Sequence, residues 1–187
     1  MNKILFSLYG IFLLIFALFS YVFIDPNLIY LQNIYSGFAF QNRFFTTTIY
    51  IGLIFLFFIF YILFLRKVNK KGFNLSSIRK IIVTAISILL FAYPAMLSYD
   101  IFNYIATSKV LFFYHENPYI IMPIDFIGDP LLLFAHATNK IALYGPIWIL
   151  LTAIPYYIGS LFGFLFTLLS FKLFISLFYA GTIFIIW

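Results

Sequence analysis

The chain contains no cysteine. Disulfides and thiolate metal sites are therefore excluded, and the redox compartment is left open. Charge is almost as scarce, at 9% of residues, where an ordinary soluble domain carries about 25%. So little polar surface cannot coat a globule in water, and the solvent that fits is a bilayer. Acids are the rarest charged groups: Asp25, Asp100, Glu116, Asp125 and Asp129 are the whole set. A Gly-rich phosphate loop, an H-E-x-x-H pair and a G-x-S-x-G elbow are also missing, which removes the common soluble-enzyme motifs. There is no linker, no internal repeat and no low-complexity segment beyond a Phe/Ile/Leu bias.

What is abundant is apolar sequence: of 187 residues, 65% are hydrophobic and 24% aromatic. Five runs approach the roughly 20 residues that a helix needs to cross a bilayer. They cover about 4–24, 46–65, 81–98, 146–166 and 173–187. The expected fold is all-α: one polytopic transmembrane module over 1–187, with about five transmembrane helices. The first run is long and no small-x-small cleavage site follows it, so it reads as a retained anchor. The last run reaches Trp187 with no cap, basic anchor or polar tail. Its final carbonyls need partners, so the chain is expected to be the N-terminal part of a longer membrane protein.

The net charge of +6 comes largely from one inter-span loop, which points to membrane orientation rather than nucleic-acid binding. "RKVNKKGFNLSSIRK" carries Arg66, Lys67, Lys70, Lys71, Arg79 and Lys80. By the positive-inside rule this loop is cytoplasmic, and Lys3 and Lys172 fall on the same side. Segments 25–45 and 99–145 are then external, with only Arg43, Lys109 and Lys140 as outer cations. All the acids are external in this scheme.

The first outer segment is aromatic and mildly polar, with Asp25–Pro26 as a helix stop. The second carries the polar chemistry. A helix over 100–114 places Asp100, Asn103, Tyr104, Thr107 and Ser108 on one face. Ile101, Phe102, Ile105, Leu111 and Phe112 lie mainly away from it, the pattern of a short helix lying in the membrane interface. Asp100 stands at its start, where a helix N-terminus stabilises a carboxylate by roughly 0.3–1 kcal/mol. "HENPY" ends the helix, because Asn117 before Pro118 is pushed from the α region. "IDFIGDP" reads as a turn, with Asp129 as N-cap and Pro130 as first residue of a second short helix. That helix would put His136, Asn139 and Lys140 on one face. Gly145 and Pro146 open the next span, and Tyr144 and Trp148 suit an aromatic belt. No spacing among His115, His136, Asp125 and Asp129 demands a metal, and no cofactor is expected.

"SYDIFNYIATSKVLFFYHENPY", followed some 25 residues later by "LYGPIW", resembles the GT-C membrane glycosyltransferases. Within them it is most similar to the polyprenol-phosphate-mannose-dependent mannosyltransferases. The likeness covers about 98–148 and implies a GT-C-like N-terminal half. It implies transfer of a hexose such as mannose from a polyprenyl-phosphate sugar to an external glycan or lipid acceptor. Asp100 takes the place of the catalytic base. Asn117, Pro118 and Tyr119 match the loop that shapes the site, and Tyr144, Gly145 and Pro146 match the junction with the next span. Asn103 and Tyr104 share the helical face of Asp100. The lipid phosphate needs cationic partners, for which Lys109 and Lys140 are the expected ones. The chain departs from the common pattern in lacking an acidic pair after its first span, where only Asp25 occurs. Two alternatives remain at this stage: a transporter, which would want ionisable groups inside the spans, and a non-catalytic membrane scaffold.

Overall fold

The computed structural model describes residues 3–28, 31, 37–71, 75–133 and 135–186. All regular structure among them is helical. Three helices, Lys3–Phe23, Arg43–Lys67 and Phe164–Ile186, are long and apolar enough to cross a membrane. The chain forms two compact units, one from residues 1–24 and 33–93 and the other from 25–32 and 94–187.

The first unit contains α1 (Lys3–Ser20), the short α2 (Phe38–Gln41), α3 (Arg43–Lys71) and α4 (Leu75–Leu89). Helices α1 and α3 run antiparallel and meet through rings. Phe23 faces Tyr50, Phe16 faces Phe57 and Tyr9 faces Phe64, with centroids 6.3, 4.9 and 5.3 Å apart. Such edge-to-face pairs add about 0.5–1.5 kcal/mol beyond their buried area. Only 6% of the most apolar window of α3 is buried within the protein, so its outer face is left for lipid.

Helix α4 runs parallel to α1, start beside start and end beside end. The Tyr93 amide donates to Ser20 Oγ at 2.6 Å, and the Tyr21 hydroxyl donates to the Phe91 carbonyl. Near its start, α4 flanks Phe6 of α1. These directions put Lys3, Arg66, Lys67, Arg79 and Lys80 at one end of the unit and Arg43 at the other.

The boundaries of α4 correct the expected span 81–98. The helix is 15 residues long, about 22 Å at 1.5 Å per residue, and it begins earlier. It stops at Leu89 because the backbone beyond that residue is engaged elsewhere: Phe91 and Tyr93 bond to the end of α1, and Pro94 disfavours helix at Tyr93.

The second unit is built on α5 (Asp100–Phe112), with α6 (Pro146–Leu151), α7 (Ala153–Ser160) and α8 (Phe164–Ile186) around it. Ile105, Ala106, Thr107 and Ser108 are all buried. Four successive residues cover a full turn, so α5 is enclosed on every side at mid-length. This corrects the expected interfacial helix with one polar and one lipid-facing side. Thr107 and Ser108 point inward, and Ser108 Oγ donates to Thr152 Oγ1 at 2.7 Å. Phe102, wholly buried, stacks near Phe164. Asp100, at the start of α5, is its exposed residue.

The expected spans 146–166 and 173–187 are redrawn as a hairpin. Its first arm, Pro146–Ser160, is too short to count among the three spanning helices. It breaks at Thr152, because Pro155 has no N–H to give the Leu151 carbonyl. The chain reverses at Gly163, whose φ of 92° suits glycine. Helix α8 then runs unbroken through Lys172, so Lys172 is not in a loop as expected. One lysine dents the hydropathy but does not break a helix. Gly159 allows the two arms to touch: a Cβ there would lie 2.3 Å from Thr167 Cα.

Candidate functional site

Asp100 is the first residue of α5 and its carboxylate is exposed. Ser98 frames it: Ser98 Oγ donates to Asp100 Oδ2 at 2.8 Å and accepts from the Asp100 amide at 3.1 Å. One turn on, Asn103 Oδ1 accepts the Ala137 amide at 3.2 Å. This ties the 136–140 turn to the open end of the helix. The ring of Tyr104 meets Tyr144 and Trp148 edge-on, at 4.5 and 5.4 Å between centroids.

The polar tips of these rings are the site's most telling feature. Tyr144 Oη and Trp148 Nε1 are buried and have no well-formed hydrogen bond. Asp100 and Asn103 approach the Tyr144 hydroxyl closely enough to act on its acidity, yet neither meets it in good hydrogen-bond geometry. Burial first, and then the Asp100 charge, push the Tyr144 phenol up to about 12. The same causes in the same order raise Tyr104. Both phenols remain protonated donors at neutral pH. Buried donors without acceptors are uncommon in folded proteins. The Tyr144 hydroxyl, close to the exposed Asp100 carboxylate, suits a ligand rich in oxygen.

The two halves of the sequence motif are joined directly. Asn117 Oδ1 accepts the Tyr119 amide at 3.0 Å, making a turn around Pro118. The Tyr119 hydroxyl then donates to the Tyr144 carbonyl at 2.6 Å, and the Ala142 amide donates to the Pro118 carbonyl at 2.7 Å. "NPY" therefore positions "YGP" through hydrogen bonds, and Pro146 opens α6 with Gly145 as its N-cap, as expected. Trp148 packs on Tyr104, Phe174 and Phe178, so its ring is engaged by protein.

Helix α5 ends at Phe112, before "HENPY". Its last turn closes through a left-handed residue, His115 at φ 58°, and the Glu116 amide reaches back to the Val110 carbonyl at 3.1 Å. That closure uses orphan carbonyls at the helix end.

Lys109 does not join Asp100. At about 100° and 1.5 Å per residue it lies on the opposite side of α5, about 13 Å along. There it pairs with Asp129 at 2.7 Å, and the Asp129 side chain is 4% exposed. Asp129 also accepts from the Tyr114 hydroxyl at 2.9 Å and from the Leu131 amide at 3.0 Å. Burial and this hydrogen bond push the Tyr114 phenol up to about 12. The pair borders a separate cavity of about 240 Å³, lined largely by Ile105, Phe113, Leu131, Tyr156 and Phe164.

Asp129 does act as a cap, as expected, but the segment it caps is a 3-10 turn over Pro130–Leu133 and not an α-helix. The backbone beyond is taken by distant partners: Ala137 by Asn103, and Thr138, whose carbonyl accepts the Ile124 amide at 3.0 Å. The expected shared face of His136, Asn139 and Lys140 is therefore absent. Lys140 is exposed in the turn.

His136 has another role, which the sequence hid. Its Nε2 lies 3.7 Å from Asp25 Oδ2, and its ring stacks on Tyr99 with centroids 3.6 Å apart. Asp25 is buried, and its other oxygen accepts the Asn27 amide at 2.8 Å. Burial, then Asp25, push the Tyr99 phenol up to about 12. Asp25 thus enters the unit that holds Asp100, next to the residue preceding it. No local pattern joins positions 25 and 136, so this cluster had no signal in the sequence. Among the described residues no three His, Asp or Glu side chains gather in a way that could hold a metal ion. Comparison with known protein families, with curated proteins and with solved structures finds no match.

Proposed function

We propose that the chain belongs to a membrane glycosyltransferase of the GT-C type, moving a hexose from a polyprenyl phosphate to a glycan or lipid acceptor. The observation that carries this reading is the open end of α5. There an exposed carboxylate, Asp100, stands close enough to the Tyr144 hydroxyl to act on its acidity, with the ring of Tyr104 against Tyr144 and Trp148. Polyhydroxylated ligands need such donors, and aromatic walls suit the apolar faces of a sugar ring. The direct bonding of "NPY" to "YGP" supports the resemblance on which the class rests.

In this reaction the acceptor hydroxyl attacks the anomeric carbon. The new C–O bond forms as the bond to the lipid phosphate breaks, and the polyprenyl phosphate leaves with its electrons. Asp100 takes the hydroxyl proton as general base. A single displacement inverts the anomeric centre, so a β-linked donor gives an α-linked product. Tyr144 lies beside Asp100 and its hydroxyl serves the sugar oxygens, while Asn103 and Tyr119 hold the surrounding loops. The lipid phosphate requires cations, for which Lys140 is the exposed candidate in this segment. The clustering of Lys3, Arg66, Lys67, Arg79 and Lys80 at one end of the first unit supports a cytoplasmic placement of that end. The 99–145 segment is then external.

The test is a transfer assay on the full-length protein with a panel of polyprenyl-phosphate sugars. Asp100→Asn is expected to lower the rate about 10²–10⁴-fold while membrane insertion is unchanged. A wild-type rate in that variant rules out Asp100 as the base. Absence of transfer from every donor removes the class.

A further inference from the structure

The first unit holds a groove that the transferase reading does not use. Phe6 of α1 and Ser76, Arg79, Lys80, Val83 and Thr84 of α4 line it, around a volume of about 810 Å³. Small-molecule sites typically enclose about 300–1,000 Å³. Its polarity follows from α4. At about 100° per residue, those five α4 positions fall on one arc, opposite Ile78, Ile82, Ala85 and Leu89. Ile82 is buried, while Arg79, Lys80 and Val83 are exposed. The groove therefore combines two cations and two hydroxyls with an apolar wall of Phe6 and Val83. It lies at the N-terminal end of α4, where the helix dipole also favours an anion.

The charge balance of the unit says where that anion comes from. Residues 1–24 and 33–93 contain Lys3, Arg43, Arg66, Lys67, Lys70, Lys71, Arg79 and Lys80, and no Asp or Glu at all. No carboxylate of this unit can neutralise Arg79 or Lys80. The groove's apolar wall is formed by Phe6 of α1 and the exposed Val83 of α4. A soluble anion would leave that wall unused, whereas an amphiphile fills both parts. We propose that this groove binds an anionic phospholipid. Arg79 and Lys80 meet the phosphate, Ser76 and Thr84 hydrogen-bond the headgroup, and an acyl chain runs along Phe6 and Val83. The site is independent of the transferase reading.

The full chain, placed in phosphatidylcholine nanodiscs, tests this with spin-labelled phosphatidylglycerol and phosphatidylcholine. The fraction of motionally restricted label reports binding. The expected result is preferential restriction of phosphatidylglycerol. Each cation near an anionic lipid is worth about fivefold in affinity, so Arg79→Gln/Lys80→Gln is expected to lose about 25-fold. Val83→Trp keeps both cations and fills the groove, and should lose most of the preference. Arg43→Gln, at the opposite end of the unit, should keep it. Circular dichroism checks that the variants stay helical. Retention of the preference by the double variant overturns the site. Retention by Val83→Trp shows diffuse surface charge and overturns the groove. Displacement of the lipid by millimolar inorganic phosphate or glycerol phosphate shows a site for soluble phosphate and overturns the lipid assignment.

Discussion

Replacing Lys109 with methionine should expose how the loop after α5 is held down. The Lys109–Asp129 pair is nearly enclosed, with side chains 22% and 4% exposed. Removing one partner of a buried pair typically costs about 3–5 kcal/mol, because the other charge stays buried and uncompensated. Here Asp129 keeps the Tyr114 hydroxyl and the Leu131 amide, which places the cost near the lower end, about 3 kcal/mol. For a chain of this size 1 kcal/mol moves the midpoint by about 2–4 °C, so Lys109→Met should lower Tm by about 6–12 °C. Asp129→Asn alone should cost less, since the partly exposed ammonium of Lys109 reaches water. The double variant Lys109→Met/Asp129→Asn removes both charges. The amide oxygen can still accept from the Leu131 N–H, and the Tyr114 hydroxyl can turn to accept from the amide nitrogen. It should return to within about 1 kcal/mol of wild type. Thermal unfolding in detergent, followed by tryptophan fluorescence, reads this directly, since Trp148 lies in the same unit. If Lys109→Met is as stable as wild type, or the double variant is no better than the single, the pair does not hold the loop.

Gly159→Ala should be among the most damaging small substitutions. Its methyl would lie 2.3 Å from Thr167 Cα, and only backbone movement of the hairpin relieves that. A loss of about 1–3 kcal/mol or more is expected in the same melting assay, and an unchanged Tm would show that the two arms separate easily. Alkaline pH should destabilise the second unit. Tyr99, Tyr114 and Tyr144 ionise at about 12 when folded, against about 10 when unfolded. Their stabilising contribution is complete below about pH 10 and is lost as pH rises towards 12. Phenolate absorbance should show a late-ionising fraction, and ionisation of every tyrosine near pH 10 would contradict these environments. Tyr119→Phe should detach "NPY" from the Tyr144 carbonyl at a cost of about 0.5–1.5 kcal/mol. Faster amide exchange at Ala142 would report the loosened contact, and unchanged exchange would show that the hydroxyl is dispensable.

Local features were legible in the sequence where the chain's own chemistry settles them. The start of α5 at Asp100, the Asp129 cap, the Asn117–Pro118 turn and the opening of α6 at Pro146 all depend on neighbours within four residues. Longer hydrophobic runs were legible as apolar but not as bounded helices. Run 81–98 loses its second half because Phe91 and Tyr93 bond to α1. Run 146–166 breaks because Pro155 and Gly163 impose their own geometry. Around α5, the periodicity reported a polar face truly, yet it could not tell solvent from a buried hydroxyl partner such as Thr152. The contacts of Asp25 with His136 and of Lys109 with Asp129 join residues remote in sequence, and no local period encodes them. Lys109 is an expected phosphate partner because outer cations are few, and the sequence carries no sign that the helix turns it away from Asp100 to Asp129.

The bond from the Tyr119 hydroxyl to the Tyr144 carbonyl closes a loop of 25 residues. Closing a loop twice as long costs only about 0.6 kcal/mol more. The tip of this loop, at Ile127, is 97% exposed. An epitope or a protease site inserted after Phe126 should therefore leave the closing bond in place. Such an insertion would turn the loop into a reporter of membrane sidedness: accessible on intact cells if 99–145 is external, and silent until the membrane is opened if it is not.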